Sequence, residues 1–336
     1  LGATGAVGST ILEILVERDF PASEIVPFAS ERSAGRKIEV GGKELECVVP
    51  SDESIQGIDI LISSAGGSVS EVWAPKFVEA GAVVVDNTSF WRMHEDVPLV
   101  VAGVNSEAAQ HHKGIVANPN CTTMAIMPPL KALHDAFGLR AIVATSYQAA
   151  GGAGQQGIDE LMEQIPLLAP HAGELADDGA AAARRVTPKT FPKPIAFNVI
   201  PLLGTADDAG YTDEEMKMQN ESRKILEIPD LAVSPTCVRV PVVVGHAIQV
   251  RATFEREPSV DGALEAMGAH EGVELDPVPT PLEWAGRNEV VVGRVRKDLA
   301  DPHALNLFVV GDNLLKGAAL NTVQIAEKLV ERGLLR

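Results

Sequence analysis

The chain opens Leu1-Gly2-Ala3-Thr4-Gly5-Ala6-Val7-Gly8, with glycine at every third position just ahead of a helical pattern. No other feature limits the fold as much. Such a turn joins a buried strand to a helix, and its lack of side chains lets backbone N–H groups and the helix N-terminus approach a pyrophosphate. Ile11, Ile14 and Leu15 then recur at helical spacing among Glu13, Glu17 and Arg18, with Pro21 just beyond. The strand that should lead into Gly2 is almost wholly absent, so native residues are expected before Leu1. Without a ligand the same pattern is only a tight connection, so a second dinucleotide feature has to decide.

Short apolar runs at 25–28, 58–62, 83–85 and 114–117 alternate with helical or loop-like segments, the rhythm of a parallel sheet. From about Ala141 the pattern changes to strand-like runs at 141–147, 238–244, 247–254 and 289–295 with long irregular connections. The stretch 314–335 reads as a helix with Leu315, Ala318, Ala319, Val323, Ala326 and Leu329 on its apolar side, suited to packing back on the first domain. A length of 336 residues fits two domains. The expected fold is α/β: a Rossmann-type parallel-sheet dinucleotide-binding domain of residues 1–122 with 314–336, plus an α+β domain of residues 123–313.

Lys and Arg number 28 against 46 Asp and Glu, a net charge of −18 that repels nucleic-acid backbones and anionic lipid. No segment reaches the roughly 18 apolar residues of a membrane span. The three cysteines, Cys47, Cys121 and Cys237, are few and far apart, which suits a reducing cytoplasm and no disulfide framework. No metal site is expected.

An NAD-binding chain would place an acid on the adenosine ribose about 20 residues after the glycine turn. Here the second strand runs instead into Ser30-Glu31-Arg32-Ser33-Ala34-Gly35-Arg36. Two guanidiniums and two hydroxyls suit a 2′-phosphate and favour NADP, with Glu31 as the complication and a plain solvated loop as the alternative. Asn118-Pro119-Asn120-Cys121-Thr122-Thr123 follows a short apolar run and precedes a helical one. Cys121 is thereby placed near a helix N-terminus, where thiolate is favoured. An inert buried thiol is the commoner fate and is assigned to Cys47 and Cys237. A nicotinamide site and an activated thiol in one chain point to hydride transfer through a thioester.

Several segments occur in order: GATGAVG, Ser30 to Gly35, Asn87-Thr88-Ser89-Phe90-Trp91-Arg92, NPNCTT, Ser146-Tyr147-Gln148-Ala149, Arg239-Val240-Pro241-Val242 with Gly245-His246, and Gly311-Asp312-Asn313 with Lys316-Gly317-Ala318-Ala319. Together they resemble the aspartate-β-semialdehyde dehydrogenase family over nearly the whole chain. The resemblance implies NADPH-dependent reduction of β-aspartyl phosphate to the semialdehyde and phosphate, on the path to lysine, threonine and methionine. It also implies a homodimer built on the second domain, and a small-molecule substrate as the other partner.

Carried over position by position, the resemblance makes Cys121 the nucleophile, His246 the acid/base and Gln148 the group that orients the substrate. Arg239 would grip the α-carboxylate, Glu214 the ammonium, and Arg92, Lys217 and Asn120 the phosphate. Cofactor contacts would fall at Gly2, Thr4, Gly5, Ala6, Val7, Gly8, Ser30, Arg32, Ser33 and Asn313. A histidine suits acid/base work because its ordinary pKa lies near neutrality. By pattern alone, His246 is a hydrogen-bonded core residue, and Glu214 with Lys217 is a surface ion pair on a helix.

Positions 239 and 246 differ by an odd number, so one unbroken strand would send them to opposite faces. Pro241 and Gly245 are the candidate breaks. Glycine stands at 151 where the family pattern has serine, and Val104-Asn105 follow Gly103 where it has glutamate. The rivals are an N-acetyl-γ-glutamyl-phosphate reductase, which runs the same chemistry one methylene longer, and a non-catalytic Rossmann homologue. The latter should have lost the thiol or the imidazole.

Overall fold

The computed structural model describes residues 1–335 and divides into two units. The first holds Leu1–Met127, Asn220–Pro229 and Leu315–Arg336, and the second holds Pro128–Gln219 and Asp230–Leu314. Arg336, the last residue of the expected first domain, lies outside the described residues. The segment Asn220–Pro229 was not expected in the first unit. It is the second half of a helix, Asp213–Leu226, whose unbroken pattern carries no boundary signal.

In the first unit, strands β1 (Lys37–Val40) and β2 (Lys43–Glu46) form a hairpin closed by Gly41 and Gly42, both at positive φ. Strands β3 (Ile60–Ser63), β4 (Val83–Asp86) and β5 (Ile115–Ala117) form a parallel sheet in that order. All four residues of β4 are buried, as a strand covered on both faces requires. The run 25–28 does not form a strand. Pro27 removes a ladder donor, and only Phe28 bridges, to Val48. Phe28 O accepts from Gly2 N and Ala3 N at 2.8 and 3.1 Å, while Ser64 N donates to Leu1 O at 2.9 Å. The glycine turn therefore sits at the carboxyl end of β3.

The helix Ala6–Glu17 buries Ile11, Leu12, Ile14 and Leu15 against Val40, Leu320 and Val323. Ile325, Ala326 and Leu329 cover Val83, Val85 and Val116. The closing segment thus packs on the first unit, entering through a π-helical turn, Leu315–Ala319, before the helix Leu320–Glu331.

The second unit is built on a six-stranded mixed sheet. Its strands are β6 (Leu139–Gln148), β7 (Ala232–Arg239), β8 (His246–Phe254), β9 (Val273–Leu275), β10 (Val290–Lys297) and β11 (Ala304–Gly311). Their order is β7-β6-β8-β11-β10-β9, parallel at the outer pairs and antiparallel between. The run 238–244 is not one strand. β7 ends at Arg239, residues 240–245 leave the ladder through Pro241, and Gly245 turns at φ +95° before β8 begins. Arg239 pairs with Gln148, and Tyr147 pairs with Ala247. Arg239, Gln148 and His246 therefore end three adjacent strands at the same edge, which removes the parity conflict. Val143 and Tyr147 point to the exposed face of β6. Among the described residues, no helix is long and apolar enough to cross a membrane.

Candidate active site

The three glycines of the opening turn have different jobs. A Cβ on Gly8 would lie 2.1 Å from Gly2 O, so helix and turn touch through bare backbone. A Cβ on Gly2, which sits at φ +89°, would meet the Ala65 backbone at 3.0 Å. Gly5, the helix N-cap, is exposed, and its side-chain-free position is met by nothing closer than 3.4 Å. No side chain caps this helix, so the first-turn N–H groups of Ala6, Val7 and Gly8 face a cradle fit for a pyrophosphate. Ser30 heads a short 3-10 turn, Glu31–Ser33, and Ser33 Oγ lies 3.5 Å from Thr4 Oγ1. Ser30 and Arg32 are exposed beside it. The structure thus brings both cofactor segments of the first unit together.

Cys121 is the first residue of the helix Cys121–Phe137 and is partly exposed. The residues before it are anchored one by one. Asn118 N donates to Asp86 O, its side-chain N–H to Asn87 Oδ1, and its Oδ1 accepts from Asn321, each at 2.7 Å. Asn120 caps the helix, its Oδ1 accepting from Thr122 N at 2.9 Å and Thr123 N at 3.4 Å. Arg92 is buried. Its Nη1 donates to Glu221 Oε1 at 3.1 Å and its Nη2 to Asn87 O at 3.0 Å. Its Nε has no partner, and neither do the buried hydroxyls of Thr122, Thr123 and Ser222. Two of these orphaned hydroxyls, Thr122 and Thr123, directly follow the thiol, and unsatisfied buried polar groups of this kind suit a polar ligand.

In the second unit the edge of the sheet gathers the remaining groups. Ala149 joins two of them: its N–H donates to His246 Nδ1 at 3.1 Å, and its carbonyl accepts from Arg239 Nη1 at 2.7 Å. Gln148 Nε2 donates to Ser146 Oγ at 3.2 Å and to Glu214 Oε1 at 3.3 Å. The helix carrying Glu214 starts with a reciprocal box: Glu215 N donates to Thr212 Oγ1 and Thr212 N to Glu215 Oε2. Lys217 Nζ then reaches Glu214 Oε2 and Asp213 Oδ2, both at 3.1 Å. Burial pulls the Lys217 ammonium down, but the two carboxylates outweigh it and the net shift is upward. With only 15% of its side chain exposed and a bond to Gln148, Glu214 is more than half of a surface pair.

His246 is fully buried, and burial, reinforced by the Arg239 charge, pulls its pKa down to about 3. Burial thus moves it well below histidine's ordinary value, and at neutral pH the ring is uncharged. With Nδ1 accepting from Ala149, the ring proton of the neutral form sits on Nε2. Asn313 lies in this second unit, its Oδ1 accepting from Gly245 N at 2.9 Å, while the other expected cofactor residues lie in the first. Burial pushes the Cys237 thiol up to about 12 and also raises Cys47, which leaves both inert.

Residues 1–112 match the model of the semialdehyde dehydrogenase NAD-binding domain, and residues 130–316 that of the semialdehyde dehydrogenase dimerisation domain. An aspartate-semialdehyde dehydrogenase of Corynebacterium glutamicum is 52% identical over 340 residues, covering 98% of each chain. The chain belongs to the aspartate-semialdehyde dehydrogenase family. Aspartate semialdehyde dehydrogenase II of Vibrio cholerae, solved in complex with ASA, superposes with a TM-score of 0.92 at 42% identity, covering 98% of this chain and 96% of that one. The Candida albicans enzyme, solved with NADP, gives 0.74 at 25% identity over 99% and 98%. These likenesses carry the α/β fold, with its Rossmann-like domain and its mixed-sheet dimerisation domain.

Within that family frame, the departures have local reasons. A Cβ at Gly151 would stand 2.8 Å from Val243 O, so a serine there needs a shifted loop. Gly103 sits at φ +87°, where glycine is favoured, and its N–H donates to Ser106 Oγ at 3.0 Å. Two residues escaped sequence reasoning. A Cβ on Gly152 would lie 2.6 Å from Arg239 Nη1 and 3.0 Å from His246 Cε1. Glu221 accepts from Asn120 N at 2.6 Å as well as from Arg92. Its only sequence signal is the spacing of Glu214, Lys217, Glu221 and Lys224, which reads as an ordinary charged helix face.

Proposed function

We propose that this chain reduces L-aspartyl-4-phosphate to L-aspartate-4-semialdehyde and phosphate with NADPH, in the biosynthesis of lysine, threonine and methionine. The observation that carries this reading is Cys121 at the head of a helix whose cap residue, Asn120, shares one buried carboxylate with Arg92. Cys121, as thiolate, attacks the acyl carbon, the bond from that carbon to the phosphate oxygen breaks, and phosphate leaves with the electron pair. Arg92, Lys217 and the Asn120 amide hold the departing anion. Arg239 holds the α-carboxylate through its planar fork, and Glu214 holds the ammonium. Gln148, its Nε2 turned to Glu214, orients the substrate without titrating.

A nicotinamide held there would supply the hydride that reduces the thioester carbonyl. His246, neutral with its proton on Nε2, offers that N–H as a hydrogen-bond donor to the acyl oxygen while the carbon–sulfur bond breaks, releasing the aldehyde and restoring the thiolate. Gly2, Gly5 and Gly8 with the N–H groups of Ala6 and Val7 would hold the cofactor's pyrophosphate, and Thr4 and Asn313 would add further contacts to the cofactor. The preference for NADP rests on Ser30, Arg32 and Ser33, with Arg36 alongside. A homodimer forms on the second unit, where the matched dimerisation domain leaves Val143 and Tyr147 exposed on its sheet. Three cysteines, few and far apart in the chain, suit the cytoplasm.

The test follows absorbance of the reduced cofactor with aspartate semialdehyde, phosphate and NADP. Cys121→Ser should abolish turnover while NADPH still binds, since a hydroxyl lacks the thiolate's nucleophilicity. Turnover on the N-acetylglutamyl analogue alone would replace this reading by the reductase one.

A further inference from the structure

We infer that Glu221 is a positioning residue that sets Arg92 and the start of the cysteine helix against one another, an inference resting on the proposed thioester and phosphate chemistry. The Glu221 side chain is 1% exposed, and each of its oxygens has a defined task. Oε1 accepts from Arg92 Nη1 at 3.1 Å, and Oε2 accepts from the backbone N–H of Asn120 at 2.6 Å, the residue directly before Cys121. With Nη2 bound to Asn87 O, the guanidinium plane is held at two points while its buried Nε stays without a partner. One helical turn further on, Lys224 Nζ donates at 2.8 Å to the carbonyls of Arg92, His94 and Val97. The same short helical segment therefore grips the side chain of Arg92 and the loop that carries it.

Charge alone gives Glu221 no use here. A buried carboxylate near groups that must hold thiolate and phosphate repels both, and it offsets the positive charge Arg92 can offer an anion. Geometry does give it a use, because a guanidinium recognises phosphate through the direction of its N–H bonds. The two accounts predict opposite signs. If Glu221 only balances charge, removing its charge tightens phosphate binding. If it positions, phosphate binding weakens although the repulsion is gone.

The experiment uses the full chain with aspartate semialdehyde, NADP and inorganic phosphate, comparing wild type, Glu221→Gln, Arg92→Gln and the double variant. Glutamine has one acceptor oxygen for two donors, so one of the two contacts must fail. KM for phosphate should rise about 10- to 100-fold in Glu221→Gln while KM for NADP stays within about twofold. In the double variant, the rise should fall short of the product of the two single rises, because part of the effect passes through that guanidinium. A phosphate KM that is unchanged or lowered overturns the inference. A drop in kcat alone, additive with Arg92→Gln, also overturns it. Should Glu221→Gln not fold, Glu221→Asp, which keeps the charge but is one methylene too short for both partners, is read by the same criteria. Absence of turnover in wild type would instead refute the proposed function, so the two failures are distinct.

Discussion

Glu214→Gln keeps the side chain's size and removes its charge. In the structure Glu214 serves two donors, Lys217 Nζ at 3.1 Å through Oε2 and Gln148 Nε2 at 3.3 Å through Oε1. An amide offers its oxygen to only one of them and turns its own N–H groups on the other. Lys217 keeps Asp213 as a partner, so the fold loses little. At a side chain only 15% exposed the screening that weakens surface pairs is largely absent. Loss of a charge-assisted contact in that setting costs about 1.5–3 kcal/mol, which is about 10- to 100-fold in kcat/KM for aspartate semialdehyde. An exposed pair with Lys217 alone would cost less than about 1 kcal/mol of stability and almost nothing in rate. Steady-state rates with varied aspartate semialdehyde, together with KM for NADP as an internal control, separate the two. A kcat/KM within about threefold of wild type removes Glu214 from the substrate site and reopens the acetylated substrate.

Arg32→Ala should raise KM for NADP and leave any slow reaction with NAD unchanged, whereas an equal loss with both would place Arg32 in the fold rather than at a 2′-phosphate. Gly152→Ala sets a methyl 2.6 Å from Arg239 Nη1, and should cut kcat/KM by about tenfold or more with Tm nearly unmoved; full activity would show that Arg239 moves aside without consequence. The His246 ring, with its pKa pulled from 6.5 to about 3 by burial, is neutral in the fold while the unfolded chain protonates first. Its contribution to stability is therefore fully present above pH 6.5 and is lost as pH falls toward 3, by an amount on the order of 5 kcal/mol. Urea unfolding of wild type and His246→Gln across that window measures it, and parallel curves for the two proteins would refute it.

The sequence by itself determined the elements whose signals are local. Glycine spacing with the apolar repeat of Ile11, Ile14 and Leu15 specified the opening turn and helix, because a Cβ at Gly2 or Gly8 meets backbone directly. The NPNCTT segment specified a helix beginning at Cys121, since Asn120 caps it through contacts two and three residues away. These are short-range consequences of steric and hydrogen-bonding rules, so they are readable wherever the residues stand in order.

Only the tertiary structure decided what depends on distant partners. The run 238–244 looked like one strand because apolar composition cannot show a ladder ending at Arg239, and it is the pairing with Gln148 that puts Arg239 and His246 at one edge. The pKa of His246 departs from histidine's ordinary value because desolvation depends on everything packed around a ring, not on its neighbours in the chain. Glu221 lies 101 positions from Asn120 and 129 from Arg92, on a helix face that reads as ordinary surface charge. Burial turned that carboxylate into a clamp. A side chain's chemistry is written in its own code, but its dielectric surroundings and its bonding partners exist only once the chain has closed on itself.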